Sequence, residues 1–160
     1  MSIDIATQDE DINWDYLSKT NRPLFCQKFF EELRLNRMDL VNKFYHENAF
    51  FEDPICSHTG IEEIKNYYQS IYAPVTYIEF KFSDINESDM NITLAWTMCF
   101  KSAKLKSGKL ISVKGMSLIK FSTENNKVIY HRDYFDLGAM VYEHIPIFGS
   151  ITQWIKNKLK

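Results

Sequence analysis

Cysteine is scarce in this chain: its 160 residues hold three, Cys26, Cys56 and Cys99. They form an odd set with no CxxC pair and no metal-ligand spacing, so neither a disulfide framework nor a zinc site has a sequence signature here, and no metal is expected. Cys26 and Cys99 sit within apolar patterns and read as buried free thiols. Glycine (5) and proline (4) are also few, and no Gly/Ser/Pro-rich stretch or internal repeat divides the chain. Positive charge is no more abundant than negative, with a net charge of −2. That gives no global reason to expect nucleic acid as a partner. The apolar stretch from Leu137 to Ile155 is interrupted by Glu143, His144 and Pro146, which argues against a membrane span. Ser2, Asp4 and the acids after them do not read as a signal peptide. A reducing cytoplasm is the expected location.

What the chain does have is aromatic mass. Apolar residues make up 45% and aromatics 15%, against 25% charged, so a packed core is expected and disorder is not. A chain of this length fits one domain that buries roughly two thirds of the surface its unfolded form exposes. Charge is uneven along it. Asp4, Asp9, Glu10, Asp11 and Asp15 open the chain, while Lys101, Lys104, Lys106, Lys109 and Lys114 crowd one later stretch. Both runs read as solvated surface.

Residues 1–21 read as a polar acidic leader. Pro23 is suited to the first turn of a helix in which Phe25/Cys26, Phe29/Phe30 and Leu33 recur at helical spacing. A second short helix presents Leu40, Val41, Phe44 and Tyr45, and Ala49 to Asp53 is a short extended run closed by Pro54. A third helix follows Gly60, with Ile61, Ile64, Tyr68 and Ile71 on one side. From residue 75 the apolar period falls from about four to two. Ile78, Phe80 and Phe82 alternate with polar neighbours, as do Ile92, Leu94, Trp96, Met98 and Phe100. Two further strands are expected at 110–121 and 127–136. Helices followed by antiparallel strands predict an α+β domain over 22–138, with the helices on one face of a sheet that can curl into a cone. Residues 139–160 read as an amphipathic helical extension. It presents Ile147, Ile151, Trp154 and Ile155 beyond Pro146, and a protein contact is favoured over a membrane surface for that stripe.

The run His131-Arg132-Asp133-Tyr134-Phe135-Asp136 is the strongest polar constellation. On a strand, His131, Asp133 and Phe135 face one way and Arg132, Tyr134 and Asp136 the other. An inward His and Asp are costly to bury without partners, so they suggest a functional cavity, with a solvent-facing pair as the alternative. Asp53 is an acid on the same face as Phe51; a turn-forming role before Pro54 is its alternative.

The order Ala49-Phe50-Phe51-Glu52-Asp53-Pro54, Gly60-Ile61-Glu62-Glu63-Ile64, hairpin, His131 to Asp136 resembles a SnoaL-like member of the nuclear transport factor 2-like superfamily. The resemblance implies a cone of strongly bent antiparallel sheet, with N-terminal helices over its concave face. It also implies a site. Asp53 matches the general base of ketosteroid isomerase, whose tuned carboxyls are a worked example of the general principle. That enzyme's two oxyanion-stabilising groups are not matched, and about Ser117 stands where one of them falls. Arg132 to Asp136 resembles a run in limonene epoxide hydrolase, but the rest of that triad falls among the apolar Trp96, Met98 and Phe100. Asp133 matches the base of SnoaL-type polyketide cyclases. Asp133, His131 and Asp53 are therefore the candidate catalytic set. Phe51, Trp96, Met98, Phe100, Ser117, Phe135, Tyr45 and Tyr68 are the expected lining. A carboxylate in such surroundings loses solvation and becomes a better base. The expected activity is an isomerase- or cyclase-like proton abstraction beside a carbonyl of a hydrophobic substrate, without cofactor. A non-catalytic module for a lipid-like ligand or a protein partner is the competing expectation. A homodimer through the outer sheet face is expected as well.

Overall fold

A computed structural model of the chain describes residues 12–140, 154–155 and 157–159. Helix α1, Trp14–Thr20, lies inside the segment expected to be a polar leader. Its Asn13 side chain caps the first turn by accepting the Tyr16 N–H at 3.0 Å, and Trp14 packs edge-on against Phe25 at 5.9 Å. Helix α2, Arg22–Glu32, starts at the cap Asn21, carries Pro23 in its first turn, and buries Phe25, Cys26, Phe29 and Phe30. A single 3₁₀ turn, Leu35–Arg37, leads to α3, Asp39–Phe44.

Strand β1, Tyr45–Glu52, starts earlier than the sequence suggests: Tyr45 opens the strand instead of closing the helix. A short strand β2, Ser57–Thr59, folds back on it. Gly60, at φ +88°, turns the chain into α4, Ile61–Tyr72, whose buried residues Ile64, Tyr68 and Tyr72 are spaced four apart. Four long strands follow: β3, Val75–Ser88; β4, Asn91–Ser102; β5, Ile111–Phe121; and β6, Val128–Phe135. A short helix α5, Leu137–Met140, ends this part of the chain. The stripe expected beyond Pro146 falls mostly outside the described residues.

These strands form one curved, open sheet in the order β2-β1-β6-β5-β4-β3. The expected antiparallel pairing holds except at one joint: β1 runs parallel to β6, with Phe51 opposite His131 and Glu52 opposite Arg132. The sheet is therefore mixed. A parallel pair needs a long crossover, and here α4 and the whole β3-β4-β5 meander supply it. A register shift between Phe82 and Asp84 breaks the β3–β4 ladder, the kind of irregularity that bends a strand and increases its twist.

The core fills the concave face. Phe29 stacks on Phe44 at 3.8 Å with planes 6° apart, and Phe44 stacks on Phe25 at 5.0 Å. Arg22 ties the far end together by donating to the Asp89 carbonyl (2.8 Å) and the Asn126 side chain (3.1 Å) while lying over the Phe121 ring. Gly115 is required by a close approach. A Cβ there would come within 2.2 Å of the Trp96 indole, which lies flat across it from the neighbouring strand. Among the described residues, no helix is long and apolar enough to cross a membrane.

Candidate functional site

Between the helices and the concave sheet lies a cavity of about 320 Å³. Phe29 and Phe30 of α2, Leu33 just beyond it, and Tyr68, Ile71 and Tyr72 of α4 form one wall. Phe80, Trp96, Met98, Phe100 and Phe135 of the strands form the other. Among the described lining residues, the only acids are Asp53 and Asp133, and the only base is Lys104.

Asp133 stands at the centre of a buried hydrogen-bond array. It lies opposite Ser117 in the β5–β6 ladder, and the Ser117 hydroxyl donates to its Oδ1 at 2.5 Å. Ser117 Oγ in turn accepts the Trp96 indole N–H at 2.9 Å. Oδ1 also meets His131 Nε2 at 2.9 Å. On the far side of that ring, His131 Nδ1 is 2.5 Å from the Tyr45 hydroxyl, which is 2.9 Å from the Tyr68 hydroxyl. Both polar partners thus converge on one carboxylate oxygen. Oδ2 has no hydrogen-bond partner among the described residues, and Asp133, whose side chain keeps 14% exposure, lines the cavity.

Asp53 is occupied differently. Its Oδ1 accepts the backbone N–H groups of Ile55 (2.7 Å) and Cys56 (3.0 Å), and its Oδ2 accepts the Tyr67 hydroxyl. Asp53 N–H also donates to the Cys56 carbonyl at 3.0 Å, closing the turn between β1 and β2. Both oxygens of this acid are therefore occupied, Oδ1 by the turn and Oδ2 by Tyr67 of α4, although the residue still lines the cavity.

The structure thus brings Asp53, Asp133, Phe51, Trp96, Met98, Phe100, Phe135 and Tyr68 to one cavity. His131, Tyr45 and Ser117, also expected there, are displaced one layer outward. All three have 0% exposure and stand behind the wall. His131 is enclosed by the rings of Phe30, Phe44 and Phe51, at 5.7, 6.5 and 5.1 Å. Strand parity gives the face correctly, but the helices cover His131 and leave Asp133 uncovered. Tyr67 lines the cavity too, and Lys104 and Tyr72 line it without having been expected there. The spacing of Tyr68 and Tyr72 by four on α4 was the available signal for the second of them.

Burial raises the pKa of Tyr45, Tyr68 and Tyr72 well above the ordinary phenol value. Tyr67 is raised by burial and further by its bond to Asp53. These hydroxyls are therefore neutral donors at any physiological pH. Among the described residues no three His, Cys, Asp or Glu side chains gather as metal ligands.

A family model described as a SnoaL-like domain matches residues 26–131. Solved structures share the fold at low sequence identity. A provisionally assigned SnoaL-like polyketide cyclase from Shewanella denitrificans OS-217 superposes with a TM-score of 0.63 and 16% identity, over 72% of this chain and 90% of its own. Another, from Jannaschia sp. CCS1, gives 0.65 and 13% over 79% and 88%. An LEH-like epoxide hydrolase from M. tuberculosis gives 0.59 and 16% over 72% and 82%. A comparison with curated proteins returned no match.

Proposed function

The chain belongs to the SnoaL-like domain family, and from that premise we propose that it is an isomerase- or cyclase-like enzyme. It abstracts a proton from the carbon beside a carbonyl group in a hydrophobic small molecule. Asp133 is the base and acts through Oδ2. His131 and Ser117 do not touch the substrate; they hold the carboxylate by Oδ1. The observation that carries this reading is the division of labour within one side chain. One oxygen is saturated by two buried partners, and the other is left at an apolar cavity wall. A base needs that arrangement, because the oxygen that takes the proton must be unpaired and poorly solvated while the group as a whole stays oriented. Asp53, with Oδ1 engaged in the turn and Oδ2 held by Tyr67, serves the architecture of the cavity wall.

The apolar Trp96, Met98 and Phe100 leave no carboxylate or guanidinium at the strand where an epoxide-hydrolase triad would stand, so proton abstraction is favoured over epoxide opening.

The test is solvent deuterium exchange into 2-tetralone, a bicyclic ketone with an acidic carbon beside its carbonyl, followed by NMR. Wild-type protein should accelerate exchange, and Asp133→Asn should lower the rate by about 10²- to 10⁴-fold. Equal rates for the two proteins would refute Asp133 as the base. No exchange by either, with binding still visible in tryptophan fluorescence, would support a non-catalytic ligand-binding module instead.

A further inference from the structure

Tyr45 and Tyr68 are buried polar groups that the proposed reaction does not use directly, and the hydrogens of the array constrain what they do. Trp96 Nε1 can only donate, so Ser117 accepts from it and spends its own hydrogen on Asp133 Oδ1. On the other side, the same Oδ1 faces His131 Nε2. If Nε2 carries the hydrogen, Nδ1 is an acceptor, Tyr45 donates to it, and Tyr68 donates to Tyr45. Every hydrogen in this arrangement then has an acceptor. Any opposite arrangement places a hydrogen on Nδ1, with either a protonated Asp133 donating to Nε2 or a doubly protonated ring, and passes hydrogens outward through Tyr45. It strands the Tyr68 hydrogen with no acceptor among the described residues, and an unpaired buried donor is costly.

We propose that Tyr45 is a positioning residue. Its hydroxyl locks His131 in the neutral tautomer with hydrogen on Nε2, and so presents Asp133 as an ionised carboxylate with one oxygen free. Two chains of donors, beginning at Trp96 and Tyr68 on opposite walls of the cavity, converge on a single oxygen. The raised pKa values of the two tyrosines, from burial, agree with their acting as O–H donors. This inference rests on the reading of Asp133 as the base, but it can be tested without any substrate.

The experiment is ¹⁵N NMR of protein labelled at its four histidines, at neutral pH, with His131 assigned by loss of its signals in His131→Gln. Wild type should show a pyrrole-type Nε2 and a pyridine-type Nδ1. In Tyr45→Phe, which keeps the ring, the two nitrogens should shift toward a tautomer average, and the rate constant for ketone exchange should fall with KM unchanged. In Tyr68→Phe, Tyr45 still donates and the wild-type pattern should survive. Two pyrrole-type nitrogens in wild type, or an unchanged pattern in Tyr45→Phe, would overturn the proposal. An equal shift in Tyr68→Phe would also overturn it, because the tautomer would then not be set by the Tyr45 hydroxyl itself. If the tautomer pattern is as stated but no ketone is exchanged, this inference stands and the reading of Asp133 as base fails alone.

Discussion

Alkaline pH should unfold this protein unusually steeply, and the slope follows from the buried tyrosines. Tyr45, Tyr68 and Tyr72 are all buried, and burial raises each pKa above the value it has in the unfolded chain. A group with a raised folded pKa contributes its full stability below the unfolded pKa, here about 10. It loses that stability as pH rises toward the folded value, because only the unfolded state then releases the proton. One such group costs about 1.4 kcal/mol per pH unit, so these three together cost about 4 kcal/mol per pH unit above pH ~10. Tyr67, raised as well but partly solvated, adds a smaller amount. The buried Cys26 thiol, raised by burial as well, adds about 1.4 kcal/mol per pH unit from about pH 9, so a domain with a stability of about 8 kcal/mol would unfold near pH ~11. The assay is a series of urea melts from pH 8 to ~11.5, paired with absorbance at the tyrosinate band. Stability should be flat to about pH 9, fall gently as Cys26 enters the balance, and fall steeply above pH ~10. Tyr72→Phe should reduce the slope above pH ~10 by about one quarter. A stability independent of pH up to ~11.5, or an unchanged slope in Tyr72→Phe, would refute the argument.

Gly115→Ala should displace the Trp96 indole, since the added Cβ would overlap the ring. The expected loss is about 1–3 kcal/mol of stability, with a change in tryptophan emission as the bond to Ser117 breaks; an unaltered melting temperature and spectrum would contradict the contact. The outer sheet face carries Met116 and Tyr134 at 41% exposure each on adjacent strands, where they are opposite one another. We propose that a second copy covers this face, so light scattering should give a dimer mass for wild type and a monomer mass for Met116→Glu. A monomeric wild type at micromolar concentration would remove the idea.

Local pattern alone determined much of this protein. The change of apolar period at residue 75 marks where α4 gives way to the meander, because side-chain direction repeats every 3.6 residues in one and every two in the other. Parity on β6 set Asp133 and Phe135 on the cavity side. The order of elements, together with the Asp53-Pro54 step and the His131 run, pointed to the family that the chain matches over 26–131. Helix α1 was hidden by the acids around it, and its anchor Trp14 offers no periodicity over a segment of seven residues. The parallel joint between β1 and β6 was hidden too, since a pairing across some eighty residues leaves no mark in either strand's own pattern.

Depth was decided only by the tertiary structure. Parity assigns His131 and Asp133 to the same face and cannot tell them apart, yet one is sealed and the other lines a cavity. The difference is set by which rings arrive from α2, α3 and β1, and those lie far away in sequence. The same holds for Asp53: its neighbours in sequence allowed both a base and a turn, and only the fold shows that Tyr67 reaches its second oxygen from α4. Face is a property of the backbone repeat, which a few residues carry. Burial and hydrogen-bond satisfaction are sums over everything that packs nearby, and here those neighbours come from four separate elements, α2, α3, β1 and α4.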